Sequence, residues 1–431
     1  MPKIAFVGAG SVEFTKNLLG DILSFPELAE CEIALHDIDP ERLETAEGIA
    51  RYTARALSAR PSISAHLDRR AALEGADHVI NMVQVGGHAA TLLDFEIPAA
   101  HGLRQTIGDT LGIGGIFRAL RTIPLMLALG SEMAELAPGA WLLNYTNPMA
   151  MLCWATYAGS PQQRIVGLCH SVQNTTRELA ELVGEPFEEV TFLGAGVNHQ
   201  AFILRFERDG RDLYPRLDAA IERDPELRRR VRVEMYRRLG HFPTESSEHS
   251  AEYLPWFLRS DEAIEHFRLW VGEYIARSEE NLAEYEQLRA ALAAGAELPI
   301  ERSQEYASLI VHSILTGQER VIYGNVRNAG LIANLPADAC VEVPCLVDRT
   351  GVRPTAIGEL PAQLAALNRT FLNVCELTVQ AALEGRRELV HQAALLDPNA
   401  AASLSPETIH TVVEELIDAH GDALPEGIRR R

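Results

Sequence analysis

The feature of this sequence that most limits its possible folds is a glycine turn directly after the first apolar run. Lys3 to Val7 reads as a short strand, and Gly8-Ala9-Gly10-Ser11 then opens a helical pattern at 12–24. Glycines at such a turn let the backbone bend tightly, and the helix start offers free N–H groups to phosphate oxygens. The turn therefore predicts a parallel α/β sheet with a nucleotide site after its first strand. The third glycine of the usual pattern is absent, and similar turns also occur in proteins without such a ligand.

Short apolar runs alternate with helical patterns through the first 190 residues. Four further runs read as strands, at 32–35, 78–83, 140–143 and 164–168. Helical patterns cover 40–60, where Asp39 is the predicted N-cap, and 116–136. Strands that alternate with helices predict a doubly wound parallel sheet of the Rossmann type.

The pattern changes near residue 190. Runs at 190–193 and 201–207 read as antiparallel strands, and charged helical patterns follow them. Two more strands and a series of helices complete the chain. We therefore expect an α/β fold in two domains, a nucleotide-binding sheet at 1–190 and an α+β domain at 191–431.

The charge of the chain excludes two classes of partner. Lys and Arg number 39 and Asp and Glu 60, which gives a net charge of −21. Such a surface repels nucleic acid and anionic lipid, so neither nucleic acid nor a membrane is an expected partner. The start of the sequence lacks the pattern of a signal peptide, and no apolar run approaches about 18 residues. The six cysteines are scattered, which indicates reduced thiols and a cytoplasmic protein.

The cofactor predicted from the first strands is NAD. Gly8, Gly10 and Ser11 would contact its pyrophosphate, and Asp37, which ends the second run, would bind the ribose hydroxyls. Gly86, after the 78–83 run, would let the cofactor pass close to the backbone. Asp37 could instead only cap or turn the chain, and Gly86 could belong to an ordinary strand-to-helix turn.

Two separate loops carry residues that could hold a divalent metal ion. Cys169 follows the 164–168 strand, and His199 lies between the two later strands. Two protein ligands are too few for a closed structural site, but they suit a catalytic ion that also binds substrate oxygens. Either residue could instead be a plain core residue.

Two further segments carry candidate functional groups. Asn147, in the Asn144 to Pro148 stretch after a predicted strand, could bind sugar hydroxyls or the nicotinamide, or simply start a helix. The segment 244–253 is dense in ionisable side chains and could supply a general base, although a solvated acidic loop reads the same way.

Taken together, these motifs resemble glycoside hydrolase family 4 over essentially the whole chain. The motifs that carry the resemblance are GAGS at 8–11, TIGDTLGIGGIFRALRTIP at 106–124, LNYTNPMAM at 143–151, GLCHSV at 167–172, GVNH at 196–199, TESSEH at 244–249, YGNVRN at 323–328 and VEVPCLVD at 341–348. The Cys-His-Ser-Val sequence at 169–172 is the most specific and resembles the members that cleave α-galactosides such as melibiose.

The resemblance implies a fold, two cofactors and an assembly. The nucleotide domain would be like that of lactate and malate dehydrogenases, with an α+β domain appended. The cofactors would be NAD⁺ and an Mn²⁺ ion held by Cys169 and His199, and the enzyme would be a homo-oligomer.

The resemblance also implies a reaction that proceeds by oxidation and elimination. The sugar would be oxidised at C3, deprotonated at C2, cleaved at C1, hydrated and reduced again. Tyr253 is the predicted base, with Glu245 and Glu248 as alternatives, and His170 is a candidate proton donor. The residues expected to bind substrate are Asp109, Asn147, Asn198 and Arg327, although Arg327 could equally form a strand-end ion pair.

Other functions fit part of the pattern. A malate- or lactate-type dehydrogenase would share the nucleotide domain but leave Cys169 and His199 without a role. An NAD-sensing or sugar-binding protein would bind without turnover. Within the family, an α-glucosidase, α-glucuronidase or α-galacturonidase is the nearest alternative, and the last two would need additional cationic residues for the substrate carboxylate.

Overall fold

The computed structural model of the chain describes residues 1–430, apart from the side chains of residues 12 and 13. The strands are β1 (Lys3–Val7), β2 (Glu32–His36), β3 (Ser62–His66), β4 (His78–Asn81), β5 (Trp141–Asn144), β6 (Ile165–Leu168), β7 (Thr191–Val197), β8 (Gln200–Arg208), β9 (Arg211–Asp212), β10 (Phe242–Pro243), β11 (Arg320–Arg327), β12 (Cys340–Asp348) and β13 (Gly351–Pro354).

The α-helices alternate with the strands in the first half and dominate the second. They are α1 (Val12–Leu23), α2 (Pro40–Ala56), α3 (Arg69–Leu73), α4 (Gly87–Ala100), α5 (Gly112–Leu136), α6 (Met149–Gly159), α7 (Ser171–Val183), α8 (Tyr214–Arg223), α9 (Val231–Leu239), α10 (Ser247–Glu252), α11 (Asp261–Phe267), α12 (Glu273–Ala293), α13 (Tyr306–Thr316), α14 (Ala362–Glu384), α15 (Arg387–Leu396), α16 (Pro398–Ser403), α17 (Pro406–His420) and α18 (Glu426–Arg429).

The strands of the described residues form one mixed sheet. Six neighbouring strands are parallel, in the order β3-β2-β1-β4-β5-β6, and the sheet then continues through β11, β12, β7, β8 and β10 with antiparallel pairing. The parallel order is that of a doubly wound dinucleotide-binding sheet, so the predicted α/β fold class is confirmed. Because the later strands extend the same sheet, the division into domains at residue 190 stays a prediction.

Apart from the edge strand β3, the parallel strands are buried and consist mainly of apolar residues, because helices cover both faces of the sheet. Helix α5 is part of this cover: it has 25 residues, and 78% of its most apolar 18-residue window is buried. Within residues 1–430 it alone among the helices is long and apolar enough to cross a membrane. Its burial is that of the central helix of a protein core.

The boundaries differ from those predicted where the sequence is polar. Strand β3 was missed because its sequence, Ser-Ile-Ser-Ala-His, lies at the sheet edge and is only partly buried. The predicted cap of α2 is confirmed, since the Asp39 side chain accepts hydrogen bonds from the backbone N–H groups of Glu41 and Arg42. Helix α5 begins four residues earlier than predicted, at Gly112.

The topology creates a crevice where the strand order reverses. Strand β1 pairs with β2 on one side and with β4 on the other. The turns after β1 and β4 therefore flank the same gap, which is where ligands bind in open α/β sheets. The chain segments that follow β5 and β6 leave the sheet at the same edge.

Candidate active site

The turn after β1 is built around a contact between Gly10 and Asp37. The Gly10 N–H donates to Asp37 Oδ2 at 2.8 Å, and a Cβ added at Gly10 would lie only 2.6 Å from that oxygen. Gly8 has a φ of +84°, which favours glycine. Ser11 precedes α1 and makes no side-chain capping bond, so the helix start offers its N–H groups to a ligand.

The structure brings Gly8, Gly10, Ser11 and Asp37 together, as a dinucleotide site requires. Asp37 also accepts from the Asp39 N–H at 3.0 Å. Gly86 lies across the crevice with a φ of +83°, and a Cβ there would meet Ala90 Cβ at 2.5 Å. Packing of the protein itself requires these glycines, and their contact with a cofactor stays a prediction.

Three side chains from distant parts of the chain meet at the end of β6. Cys169 Sγ lies 3.4 Å from His199 Nε2 and 3.9 Å from Glu245 Oε1. His199 Nε2 lies 3.6 Å from Glu245 Oε1. We call Cys169, His199 and Glu245 the metal cluster, because their sulfur, nitrogen and oxygen atoms are close enough to hold one ion.

The backbone holds two members of the metal cluster in an unusual conformation. His199 lies in the two-residue turn between β7 and β8 with a φ of +64°, and Glu245 precedes α10 with a φ of +69°. A non-glycine residue in this region costs about 1–3 kcal/mol and persists only where its surroundings enforce it. Such strain is concentrated at functional sites, and it aims both side chains at Cys169.

The ionisation of the metal cluster suits a cation. Burial lowers the pKa of His199 to about 4, so the imidazole is neutral at pH 7. Burial opposes ionisation of Glu245, but the neighbouring histidines outweigh it and lower its pKa to about 2. Burial and then Glu245 raise the pKa of the Cys169 thiol well above its usual value, so its thiolate needs a positive charge beside it. A neutral imidazole, a carboxylate and a buried thiol together fit a divalent ion such as Mn²⁺.

Hydrogen bonds from Thr110 and Asp109 orient the metal cluster. Thr110 Oγ1 lies 2.9 Å from His199 Nδ1, which directs the opposite nitrogen of the ring toward Cys169. The Thr110 hydroxyl also donates to Asp109 Oδ1 at 2.7 Å, and Asn147 Nδ2 donates to Asp109 Oδ2 at 2.9 Å. Burial raises the pKa of Asp109, but His249, Arg118 and His199 outweigh it and leave the pKa lowered.

Several buried polar atoms beside the metal cluster have no partner among the described residues. They are both amide atoms of Asn198, Asn147 Oδ1 and Thr244 Oγ1. Buried polar groups are normally hydrogen-bonded, and an unpaired one calls for a ligand or water. These atoms suit a hydroxyl-rich molecule.

Comparison with known proteins assigns the chain to a family. The family 4 glycosyl hydrolase pattern matches residues 3–185, and the pattern of that family's C-terminal domain matches residues 194–400. The chain belongs to glycosyl hydrolase family 4. A relative from Bacillus subtilis (strain 168), named alpha-galactosidase, is 43% identical over 99% of this chain and 100% of its own length.

Solved structures agree with this assignment at the level of the fold. A 6-phospho-alpha-glucosidase from gut microorganisms, in complex with NAD and Mn²⁺, has a TM-score of 0.81 at 21% identity over 99% of both chains. A malate dehydrogenase of Plasmodium falciparum, in complex with NADH, has a TM-score of 0.50 at 14% identity over 89% of this chain and 99% of its own. The glycosyl hydrolase thus has the predicted Rossmann-like fold.

The segment 244–253 of this family 4 enzyme is largely buried, which contradicts the alternative of a solvated loop. Glu252 Oε1 accepts from the backbone N–H groups of Thr106, Ile107 and Gly108 at 2.5, 3.0 and 3.1 Å. These bonds tie the segment to the loop that carries Asp109 and Thr110. The tie was not predicted, because only the tertiary structure shows that Glu252 is buried.

Tyr253 and His170, the two predicted catalytic residues, both lie at this site. Tyr253 is 2% exposed, and its ring packs edge-on against the ring of Phe371, with 5.2 Å between the two ring centroids. Burial, then the charges of Asp109 and Glu252, raise the pKa of Tyr253 well above its usual value. His170 directly follows Cys169, and its Nδ1 lies 3.1 Å from Glu305 Oε1. The catalytic roles of Tyr253 and His170 stay predictions.

The structure places Arg327 away from the site where it was predicted to bind sugar. Asn325 pairs with Gly167, and this antiparallel register carries Arg327 toward the amino-terminal end of β6, away from Cys169. Its guanidinium forms an exposed ion pair with Asp338 and lies 5.9 Å from the Tyr157 ring. The local pattern predicted that this arginine lies in a strand, but it could not predict the direction of that strand relative to β6.

Two members of the site were not recognised in their roles from the sequence. Glu245 was considered only as an alternative base to Tyr253, and its carboxylate lies in the metal cluster. His249 was not singled out, although its Nε2 lies 3.8 Å from Asp109 Oδ1 and its Nδ1 lies 3.5 Å from Glu245 Oε2. His249 lies on α10, whereas Glu245 precedes that helix with a positive φ, so a helical spacing could not have indicated the pair.

Proposed function

We propose that this family 4 glycosyl hydrolase is an NAD- and Mn²⁺-dependent α-galactosidase that acts on small α-galactosides such as melibiose. The observation that carries the proposal is the metal cluster, in which sulfur, imidazole and carboxylate lie within 3.9 Å of one another. The 43% identical relative named alpha-galactosidase supports the substrate class. The related structure with NAD and Mn²⁺ supports the cofactors.

Two separate groups of residues would hold the two cofactors. Cys169, His199 and Glu245 would ligate Mn²⁺, and the turn at Gly8 to Ser11 with Asp37 would hold NAD. When bound, Mn²⁺ supplies a Lewis acid for sugar oxygens, and NAD⁺ supplies a reversible acceptor for hydride at C3. The reaction would follow the oxidation and elimination route outlined above.

The side chains of the enzyme would bind the sugar and move its protons. Asn198, Asn147 and Asp109 would hydrogen-bond its hydroxyl groups, since the first two retain unpaired buried atoms. Tyr253 would take the proton from C2. Because its pKa is raised by burial and by nearby carboxylates, its deprotonation would depend on a cation at the metal cluster.

The two buried arginines next to the site favour an uncharged sugar as the substrate. Arg118 Nε donates to the Asn147 carbonyl, and its Nη1 donates to Tyr274 Oη at 2.8 Å. Arg121 forms a two-point ion pair with Asp94 at 2.8 and 2.6 Å. Both guanidinium groups therefore already have protein partners, which disfavours a uronic acid or a phosphorylated sugar.

A panel of p-nitrophenyl glycosides tests the substrate class. The enzyme is supplied with NAD⁺ and Mn²⁺ and offered the α-galactoside, the α-glucoside, the α-galacturonide and the 6-phospho-α-glucoside. We expect the highest kcat/KM for the α-galactoside, and equal or greater kcat/KM for a charged sugar would contradict the proposal. The predicted homo-oligomer and the cytoplasmic location stay predictions.

A further inference from the structure

Three side chains on the helices near the end of the chain form a second group of metal-ligating residues. His391 lies on α15, and His410 and Glu414 lie on α17. Their nitrogen and oxygen atoms all lie within 4.8 Å of one another. We call His391, His410 and Glu414 the helix cluster. The side chains of His391 and Glu414 are 19% and 28% exposed and His410 is exposed, so an ion can reach the helix cluster from solvent.

The distances within the helix cluster are close to those that a bound ion requires. His391 Nε2 lies 2.9 Å from Glu414 Oε1, and the rings of His391 and His410 stack with 4.3 Å between their centroids. His410 and Glu414 are four residues apart on α17, which places them on one face of that helix. Ligand atoms at about 2.0–2.1 Å from a tetrahedral ion lie about 3.3 Å from one another. Small side-chain rotations would therefore bring the three groups onto one ion.

A neighbouring arginine orients the carboxylate of the helix cluster. Arg387 Nε and Nη2 donate to Glu414 Oε1 at 3.1 Å and to Glu414 Oε2 at 2.6 Å, and Arg387 Nη1 donates to the Ile428 carbonyl at 3.0 Å. The two oxygens of a carboxylate have about four lone-pair sites, so Glu414 can accept these bonds and still ligate a metal. Carboxylates that ligate metals are themselves usually hydrogen-bonded in this way.

The imidazole of His391 is in the form that binds metals. Burial, and then the charge of His410, lower the pKa of His391, so its ring is neutral at pH 7. His391 Nδ1 is buried and has no hydrogen-bond partner within residues 1–430. An unpaired buried polar atom calls for a ligand or water, which is a second indication that the helix cluster is a binding site.

We propose that the helix cluster binds a transition-metal dication such as Zn²⁺ and thereby joins α15 to α17. Two imidazoles and one carboxylate suit Zn²⁺, whereas Mn²⁺ prefers sites that are richer in oxygen ligands. The charge of Arg387 offsets that of Glu414, so the imidazole nitrogens rather than net charge would provide the affinity. Water would complete the coordination of an ion with three protein ligands. The inference does not depend on the proposed glycosidase function.

Equilibrium dialysis of the full chain against buffered Zn²⁺ counts the ions bound per chain. The variant His410→Gln removes an exposed ligand of the helix cluster, and His101→Gln is the matched control. His101 also pairs with a glutamate of α17, Glu415, at 2.9 Å, but it belongs to no group of three metal ligands among the described residues. Even the loss of a group that only orients a ligand weakens metal binding about 10- to 100-fold, so His410→Gln should weaken Zn²⁺ binding at the helix cluster at least 10-fold.

The metal cluster of the active site contributes equally to the count in all three proteins. We therefore expect the wild type and His101→Gln each to bind one more Zn²⁺ than His410→Gln. Equal counts in the wild type and His410→Gln, or the same loss in His101→Gln, would overturn the site. With Mn²⁺ the three proteins should bind equal numbers of ions, and a lower count in His410→Gln would contradict the class of ion.

Hydrogen exchange followed by mass spectrometry locates the ion without an activity assay. Zn²⁺ should slow the exchange of backbone amides in α15 and α17 of the wild type, because a bound ion opposes local opening of the helices it joins. This protection should be lost in His410→Gln, whereas protection around Cys169 and His199 should be the same in both proteins. Unchanged exchange of α15 and α17 in the wild type would overturn the inference.

Discussion

Replacing Glu245 with glutamine removes one negative charge from the metal cluster and preserves the size of the side chain. Glu245 Oε1 lies 3.6 Å from His199 Nε2, which sets the scale of separation between its charge and a bound ion. At that distance and an effective dielectric of about 20, two unit charges interact by about 4–5 kcal/mol. The glutamine carbonyl remains a ligand, so we expect about half of this, ~2 kcal/mol, or roughly 30-fold weaker Mn²⁺ binding.

The assay is a titration of chelator-treated protein with Mn²⁺, in which EPR measures the free ion. Glu248→Gln is the matched control, because Glu248 lies three residues further on, on α10, and is not a member of the metal cluster. We expect it to bind Mn²⁺ like the wild type. Wild-type affinity in Glu245→Gln, or equal weakening in Glu248→Gln, would refute the assignment of Glu245 as a ligand.

Three further predictions test the cofactor turn, a buried ion pair and the response to acid. Gly10→Ala puts a Cβ 2.6 Å from Asp37 Oδ2 and disrupts a charge-assisted bond. Such a bond contributes about 1.5–3 kcal/mol, so the NAD⁺ affinity measured by calorimetry should fall about 10- to 100-fold. The control Gly139→Ala, whose added Cβ would be unhindered, should leave the NAD⁺ affinity unchanged. Asp94→Asn removes the charged partner of the buried Arg121, which should destabilise the fold by about 3–5 kcal/mol and lower the Tm by about 4 °C. The control Asp261→Asn, which breaks an exposed ion pair, should change the Tm by less than about 1 °C. Burial lowers the pKa of His78 from 6.5 to about 4, so between these pH values the unfolded chain binds a proton that the folded chain does not. The contribution of His78 to stability is therefore complete above pH 6.5 and is lost as the pH falls toward 4. In urea unfolding, the free energy of unfolding lost on acidification should be about 3 kcal/mol smaller in His78→Leu than in the wild type. The same loss in both proteins would contradict this prediction.

The parallel half of the fold could be predicted because its signals are local. Apolar runs, the glycine turn and the Asp39 cap are each contained in a few neighbouring residues. Parallel strands also end at one edge, so the sequence could place the segments after β1, β4, β5 and β6 together. The predicted proximity of Cys169 and His199 is confirmed by their separation of 3.4 Å.

The remainder of the site depends on tertiary structure that a single sequence does not contain. Glu245 and Glu252 read alike as acidic residues in a polar segment, yet one joins the metal cluster and the other binds backbone N–H groups of a distant loop. The position of Arg327 away from Cys169 could not be predicted, because the order and direction of β11 relative to β6 are not encoded in a local pattern. Glu305 was not considered, since its partner His170 lies 135 residues away.

The requirement for NAD⁺ as a recycled cofactor tests the account most directly. Enzyme stripped of nucleotide is assayed with Mn²⁺ and p-nitrophenyl α-galactoside, and p-nitrophenol and NADH are followed together. We predict no release without NAD⁺, and many product molecules per NAD⁺ without accumulation of NADH once it is added. Full activity in the absence of NAD⁺, or one NADH formed for each sugar consumed, would contradict the account.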